Sequence, residues 1–219
     1  MAKAMKSRPE KTAREGVGRR ARNKAALKER ILTAALELFQ KNGFEAATTK
    51  QIARRAGIAE GTVFNYFRSK EEIALFFFER EVDHAISSVR RNRRLQRAPL
   101  EEKLFTLVQS QLEFLEPHQR FIGAAFFEAL RPGSQLSFST QAVALRTRYL
   151  AFVEELISQS RKERSPRPLA WWGAQAFWIY YIAALLYWLN DTSPRKQNTL
   201  AFLDRSLKIA VAIFMGGSA

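Results

Sequence analysis

Residues 48–67 read Thr-Thr-Lys-Gln-Ile-Ala-Arg-Arg-Ala-Gly-Ile-Ala-Glu-Gly-Thr-Val-Phe-Asn-Tyr-Phe. Small Ala53 is followed by Gly57 four positions later and by apolar Val63 six after that. This is the spacing of a helix-turn-helix: two steeply crossing helices touch at Ala53, the short turn needs a residue tolerant of positive φ at Gly57, and Ile58 and Val63 plug the angle. Thr48 and Gln51 form a capping box that opens the first of these helices, which ends before Gly57. The second, Glu60 to about Phe67, exposes small and hydrogen-bonding residues suited to base edges in a major groove. An ordinary helical hairpin with incidental polar residues is the alternative.

Upstream, Leu27, Ile31, Ala34, Ala35 and Leu38 share one helical stripe, which predicts a helix from Asn23 to about Asn42. Gly43 closes it with a left-handed residue and Phe44 re-enters the core. Downstream, Ser69-Lys70-Glu71-Glu72 is a second capping box opening a long helix through Phe76, Phe77, Phe78, Val82 and Ile86. Residues 1–24 carry nine basic and two acidic groups and almost nothing apolar larger than Ala, so residues 1–22 are expected to be a mobile basic arm. A solvated tail is the plainer reading of that segment.

The whole chain has 219 residues and a formal charge of +15, which points to a polyanionic partner. With Cys 0 there is no disulfide framework or cysteine nucleophile, and a reducing cytoplasm is the expected compartment. The first thirty residues lack the apolar core of a secretory signal. His84 and His118 are far apart, and there is no HExxH, phosphate loop or nucleophile elbow. No catalytic residue, metal site or cofactor is predicted, and the chain is expected not to be an enzyme.

The ordered run Arg30-Ile31-Leu32 through Ala35, Leu38-Phe39, Gly43-Phe44, Thr48-Thr49, Ile52-Ala53, Ala56-Gly57-Ile58, Gly61 to Phe67 and Ser69-Lys70-Glu71 resembles the N-terminal domain of TetR-family transcriptional regulators. The resemblance covers about residues 27–80. It implies an all-α homodimer that represses from a palindromic double-stranded DNA operator and releases it when a small molecule binds. It also implies phosphate contacts from Thr49, Tyr66 and Lys70, and a base-facing set of Lys50, Glu60, Gly61, Thr62, Phe64 and Asn65. Ala59 departs from the pattern, standing where many relatives cap the recognition helix with Ser or Thr; such a loss typically costs ~1 kcal/mol.

The expected domains are therefore an arm (1–22), a helix-turn-helix domain (23–70) and a helical effector-binding and dimerisation domain (71–219), about nine helices in all. The last domain divides into helices near 99–116, 118–131, 138–163, 168–190 and 194–214. Residues 169–189 carry no charge and are long enough to span a bilayer. Gln175 inside the run, and Trp178, Tyr180 and Tyr181 at its middle, speak instead for a buried bundle helix that also dimerises. Gly173, Ala176, Ala183 and Ala184, with Phe202, Leu203 and Ala210, are the candidate dimer residues. Phe105, Phe114, Phe126, Phe127, Trp171, Gln175, Trp178 and Tyr181 are the candidate lining of a pocket for an apolar or aromatic effector. A sequence-nonspecific architectural DNA-binding protein is the alternative function, driven by the arm and the arginines from Arg90 to Arg97.

Overall fold

This computed structural model describes the backbone of residues 9–160 and 167–214, with side chains for 19–160 and 170–212. The described residues contain no strands. The helices are α1 (Pro9–Asn42), α2 (Thr49–Ala56), α3 (Glu60–Phe64), α4 (Lys70–Arg91), α5 (Leu100–Leu115), α6 (Gln119–Ala129), α7 (Gln135–Phe138), α8 (Thr140–Ser160), α9 (Arg167–Asn190) and α10 (Gln197–Phe214). The architecture is all-α, as expected, with the one-turn α7 and short 3-10 turns at Arg94–Arg97 and Glu116–His118 as additions to the predicted elements. The chain divides into two compact units, Met1–Ile73 and Ala74–Ala219.

In the first unit α1, α2 and α3 surround a core of Ile31, Ala35, Phe39, Phe44, Ile52, Ala53, Val63 and Phe67. Phe39 and Phe44 pack edge to face with centroids 5.0 Å apart, because Gly43, at φ 88°, turns the chain back after α1. Both arms of the first capping box are present: Gln51 N–H donates to Thr48 Oγ1 (3.2 Å) and Thr48 N–H to Gln51 Oε1 (3.0 Å). Gly57 takes φ 66° and bonds back to Ala53 and Arg54 carbonyls, while the Arg30 guanidinium donates to Ala56 O at 2.7 Å. The C-terminal carbonyls of α2 are thereby satisfied by a turn and by a neighbouring helix.

Two boundaries in the first unit differ from the sequence reading. α1 begins at Pro9, not near Asn23. Its early turns are rich in Ala, Arg, Glu and Lys, good helix formers broken by Gly16 and Gly18, and carry no apolar stripe, so amphipathic periodicity cannot detect them. Residues 1–8 of the expected arm lie outside the described residues. α3 ends at Phe64 because Tyr66 N–H bonds to Val63 O (2.9 Å), a tighter three-residue closure that swings Phe67 into the core.

The second unit packs α9 along α8 and α10 along α5. Its core is Leu104, Leu107, Phe121, Val153, Phe177, Ala184, Trp188 and Leu203. Gly173 permits the close approach of α9 to α8, since a Cβ there would lie 3.0 Å from Ile157 Cδ1. The link into α10 is built on Asp191, whose carboxylate accepts from Ser193 N–H (2.9 Å), Thr199 N–H (2.8 Å) and Thr199 Oγ1 (2.6 Å). Pro194 opens a single 3-10 turn there and α10 proper starts at Gln197. Among the described residues no helix is long and apolar enough to cross a membrane.

Several polar residues interrupt this core, among them Glu81, Lys103, Gln111 and Thr199. Glu81 on α4 is 3% exposed and stands beside buried Gln111, whose Oε1 accepts the Tyr149 hydroxyl at 2.8 Å. Burial pushes the Glu81 carboxyl up from an ordinary 4.5 to about 8, against a smaller opposing hydrogen bond from Gln111.

Two outcomes follow from this packing. Ala59→Ser should raise the melting temperature, since Ala59 has the extended backbone of an N-cap (φ −69°, ψ 146°) but no side-chain bond, and a cap contributes ~1 kcal/mol. An unchanged melting curve would show that α3 is held by packing alone. Because the folded state retains the Glu81 proton above the pH at which the unfolded chain releases it, wild-type stability should fall as pH rises from about 4.5 through about 8, by up to ~1.4 kcal/mol per pH unit. Urea titrations across that window should show this slope reduced in Glu81→Gln; parallel curves would mean that Glu81 titrates normally.

Candidate nucleic-acid interface and effector cavity

The first unit presents Lys50, Gly61 and Asn65 exposed, with Phe64 at 49% exposure and Glu60 and Thr62 half-buried. Val63 and Phe67 point inward from the same stretch and leave the opposite face of α3 outward. Gly61 has nothing within 4 Å of where a Cβ would stand, so its backbone is open to close approach. The chemistry available on this face is an amide, a hydroxyl, an ammonium, an aromatic edge and the Glu60 carboxylate.

The three residues expected at phosphates are all half-buried and two are already engaged. Thr49 Oγ1 donates to Glu60 Oε1 at 3.0 Å, tying the start of α2 to the start of α3. The Lys70 ammonium donates to Phe44 O (2.9 Å) and Glu45 O (2.8 Å) and lies 4.8 Å from the Phe44 ring centroid. Lys70 thus stitches the first turn of α4 to the α1–α2 loop. The second capping box is shifted: Glu72 N–H donates to Ser69 Oγ (3.3 Å), but the Glu72 carboxylate accepts from Arg68 N–H (2.8 Å).

In the second unit a cavity of about 320 Å³ lies among α4, α5, α6, α7, α8 and α9. Leu75, Phe78 and Val82 of α4 face Ile122, Phe126 and Ala129 of α6, with Trp178, Tyr181, Ile182 and Leu185 contributed by α9. Glu81, Gln111 and Tyr149 form its buried polar end, and exposed Arg146 also lines it. The Tyr149 and Tyr181 hydroxyls are held well above the usual tyrosine range, first by burial and then by the Glu81 charge, so both remain neutral donors.

Of the expected lining residues, Phe126, Trp178 and Tyr181 reach the cavity. Phe127 is 68% exposed, because adjacent positions on a helix point about 100° apart. Trp171 shares the stripe of Trp178 but lies roughly 10 Å earlier along α9, and it packs instead on Trp172 at 4.7 Å. Gln175 is half-buried off the lining, Phe105 faces a shallow depression beside Asp204 and Lys208, and Phe114 packs on Phe77 and His84. Glu81, Gln111 and Tyr149 were missed. Their signal was a polar residue inside an apolar stripe: Phe77, Glu81 and Ala85 repeat every four positions, as do Leu107, Gln111 and Leu115.

The residues expected at a dimer surface divide. Gly173, Ala184 and Leu203 are buried within the chain itself, Ala176, Phe202 and Ala210 are half-buried, and Ala183 is exposed. Among the described residues, the large apolar side chains left outward on α9 and α10 are Trp171, Trp172 (64%), Ile179 (71%), Leu186, Tyr187, Leu200 and Ile209 (63%).

Residues 31–75 match the family model for bacterial regulatory proteins of the TetR family, and residues 103–217 match that for the tetracycline repressor-like C-terminal domain. The chain is 29% identical over 85 residues to the fatty acid metabolism regulator protein of Bacillus subtilis, 39% of this chain and 43% of that one. It is 34% identical over 86 residues to the transcriptional activator FasR of Mycolicibacterium smegmatis, 39% of each. These matches span less than half the length of the curated relatives. Solved structures share the fold: FadR from Bacillus subtilis in complex with stearoyl-CoA has a TM-score of 0.64 at 21% identity, covering 84% of this chain and 97% of that one. FadR from Thermus thermophilus in complex with lauroyl-CoA has a TM-score of 0.62 at 23% identity, covering 88% and 95%. With a family model on each unit, the second spanning more than half of the sequence, the chain belongs to the TetR family of transcriptional regulators.

Proposed function

We propose that this protein is a homodimeric, sequence-specific repressor that binds a palindromic operator and leaves it when an apolar effector fills the cavity of the second unit. The observation that carries this reading is the helix-turn-helix itself: Ala53 and Val63 buried, Gly57 left-handed, and a face of Lys50, Gly61, Thr62, Phe64 and Asn65 turned outward. Asn65 reads adenine through a bidentate pair, the Thr62 methyl meets a thymine methyl, and Lys50 donates to guanine. Thr49, Tyr66 and Lys70 set the register on phosphates, Lys70 at the N-terminal turn of α4.

Dimerisation supplies the two-fold symmetry a palindrome demands, with half-sites about 34–36 Å apart or a multiple of that. The outward apolar side chains of α9 and α10, Ile179 and Ile209 foremost, are the surface it would bury. For the effector, a cavity of about 320 Å³ with mainly apolar walls suits an acyl chain. The FadR structures with stearoyl-CoA and lauroyl-CoA lend that chemistry support. α4 begins in the first unit with Lys70 and lines the cavity with Leu75, Phe78 and Val82, so one helix carries both contacts. The expected compartment is the cytoplasm, where operator DNA is found.

Selection of random duplexes by the purified protein, followed by sequencing of the bound pool, should return a two-fold symmetric consensus. On that consensus, Asn65→Ala should relax preference at one base pair per half-site at a cost of ~1–3 kcal/mol. Lys70→Ala should weaken cognate and scrambled duplexes alike and lower the salt slope by about one. No enrichment at all would favour the architectural reading. Ile209→Glu should convert the dimer to monomer in sedimentation velocity; a dimer of unchanged affinity would place the interface elsewhere.

A further inference from the structure

Among the described residues, two buried side-chain atoms lack a hydrogen-bond partner, Glu81 Oε1 and His118 Nδ1, and of these two residues Glu81 alone lines the cavity. Its surroundings give it a direction. The Tyr149 hydroxyl donates to Gln111 Oε1 at 2.8 Å, which commits the Gln111 carbonyl and leaves its NH₂ for the Glu81 carboxyl. The chain of bonds runs from Tyr149 through Gln111 to Glu81 and stops at Oε1. A plain hydrocarbon packed here would leave that buried oxygen with nothing to bond.

The charge of the cavity separates the chemistries able to complete the chain. Glu81 is the single acidic residue in the lining and Arg146 the single basic one. A cationic ligand would have to ionise a fully buried carboxyl and share the cavity with a guanidinium. A neutral oxygen needs neither. The protonated carboxyl donates to a carbonyl or hydroxyl, as a carboxylic acid kept neutral by an apolar site does. Exposed Arg146 remains for an anionic head group.

We propose that the effector is an amphiphile bearing a neutral oxygen function, a hydroxyl or carbonyl, within its apolar body, and that Glu81 recognises this oxygen as the end of the Tyr149–Gln111 relay. The inference rests on the reading of the cavity as the effector site and adds the chemical class of its ligand. Glu81 is then a specificity residue, while the apolar walls supply most of the affinity.

The test titrates the full-length chain with dodecanoic acid, its monohydroxy and mono-oxo isomers, and dodecyltrimethylammonium. Binding is read from tryptophan fluorescence, since Trp178 lines the cavity, and in parallel from release of the selected duplex. At least one oxygenated isomer should bind wild type about tenfold or more tightly than dodecanoic acid. Glu81→Leu should abolish that preference by weakening the oxygenated isomers selectively. Glu81→Gln, which keeps a donor, should retain part of it. Circular dichroism confirms the fold of each variant, and if Glu81→Leu does not fold, the wild-type preference and its response to Glu81→Gln decide. Dodecanoic acid binding wild type as well as every isomer overturns the proposal, as does an equal loss for all acids in Glu81→Leu. Preference for the ammonium, lost in Glu81→Gln, overturns it in favour of a cation site. If dodecanoic acid binds and releases DNA without an oxygen preference, the effector reading stands and the role of Glu81 falls. If none of these probes binds, both fall.

Discussion

The first unit depends on keeping side chains out of two places. At Ala53 a larger residue would push α2 and α3 apart, and at Gly57 any Cβ would resist the left-handed turn that joins them. With that crossing in place, small polar interactions hold it rigid: the Thr48–Gln51 box at the start of α2, Arg30 on the Ala56 carbonyl at its end, and Thr49 on Glu60 across the turn. Each such bond contributes only ~1 kcal/mol, so they orient the helices while the buried Ile52, Val63 and Phe67 supply the bulk of the stabilisation. The absence of a side-chain cap at Ala59 leaves α3, five residues long, dependent on that packing.

Lys70 has a structural role of its own beside the phosphate contact proposed for it. Its ammonium closes the Phe44–Glu45 carbonyls, and it stands at the N-terminal turn of the helix that continues into the cavity wall. An effector shifts such an equilibrium only by binding one arrangement better than another. Contacts on α4 at Leu75, Phe78 and Val82 are where that difference in affinity would arise.

The second unit carries a different tension. Its core is largely apolar, yet Glu81 and Gln111 occupy stripe positions where apolar side chains are the rule. A fold that leaves one carboxyl oxygen, Glu81 Oε1, without a partner in its interior is giving up stability at that point, and such local conflicts between rule and residue concentrate at functional sites. The left-handed Arg195 and Lys196 are a conflict of another sort, compensated within the turn, where the Lys196 ammonium donates to the Trp188 and Asp191 carbonyls at the end of α9.

Local chemistry made much of this legible in the residues alone. The Thr48 box, the left-handed Gly43 and Gly57 and the inward Ala53 and Val63 are short-range features, dictated by the φ each residue tolerates and by which backbone groups need a partner. The bounds of α5, α6 and α9 likewise followed from proline, glycine and the apolar period, while the end expected for α8 at 163 lies outside the described residues. What depended on tertiary structure was which face of an aromatic-rich helix met which neighbour. Phe126 lines the cavity while Phe127 meets water, and Trp178 reaches it while Trp171, on the same stripe, does not. Gly173, read as a dimer residue, is instead where α9 nears Ile157 of its own chain. A helix apolar all round, such as α9, carries no amphipathic phase to say which side is core, pocket or surface, so only the packing of α8, α5 and α10 around it decides.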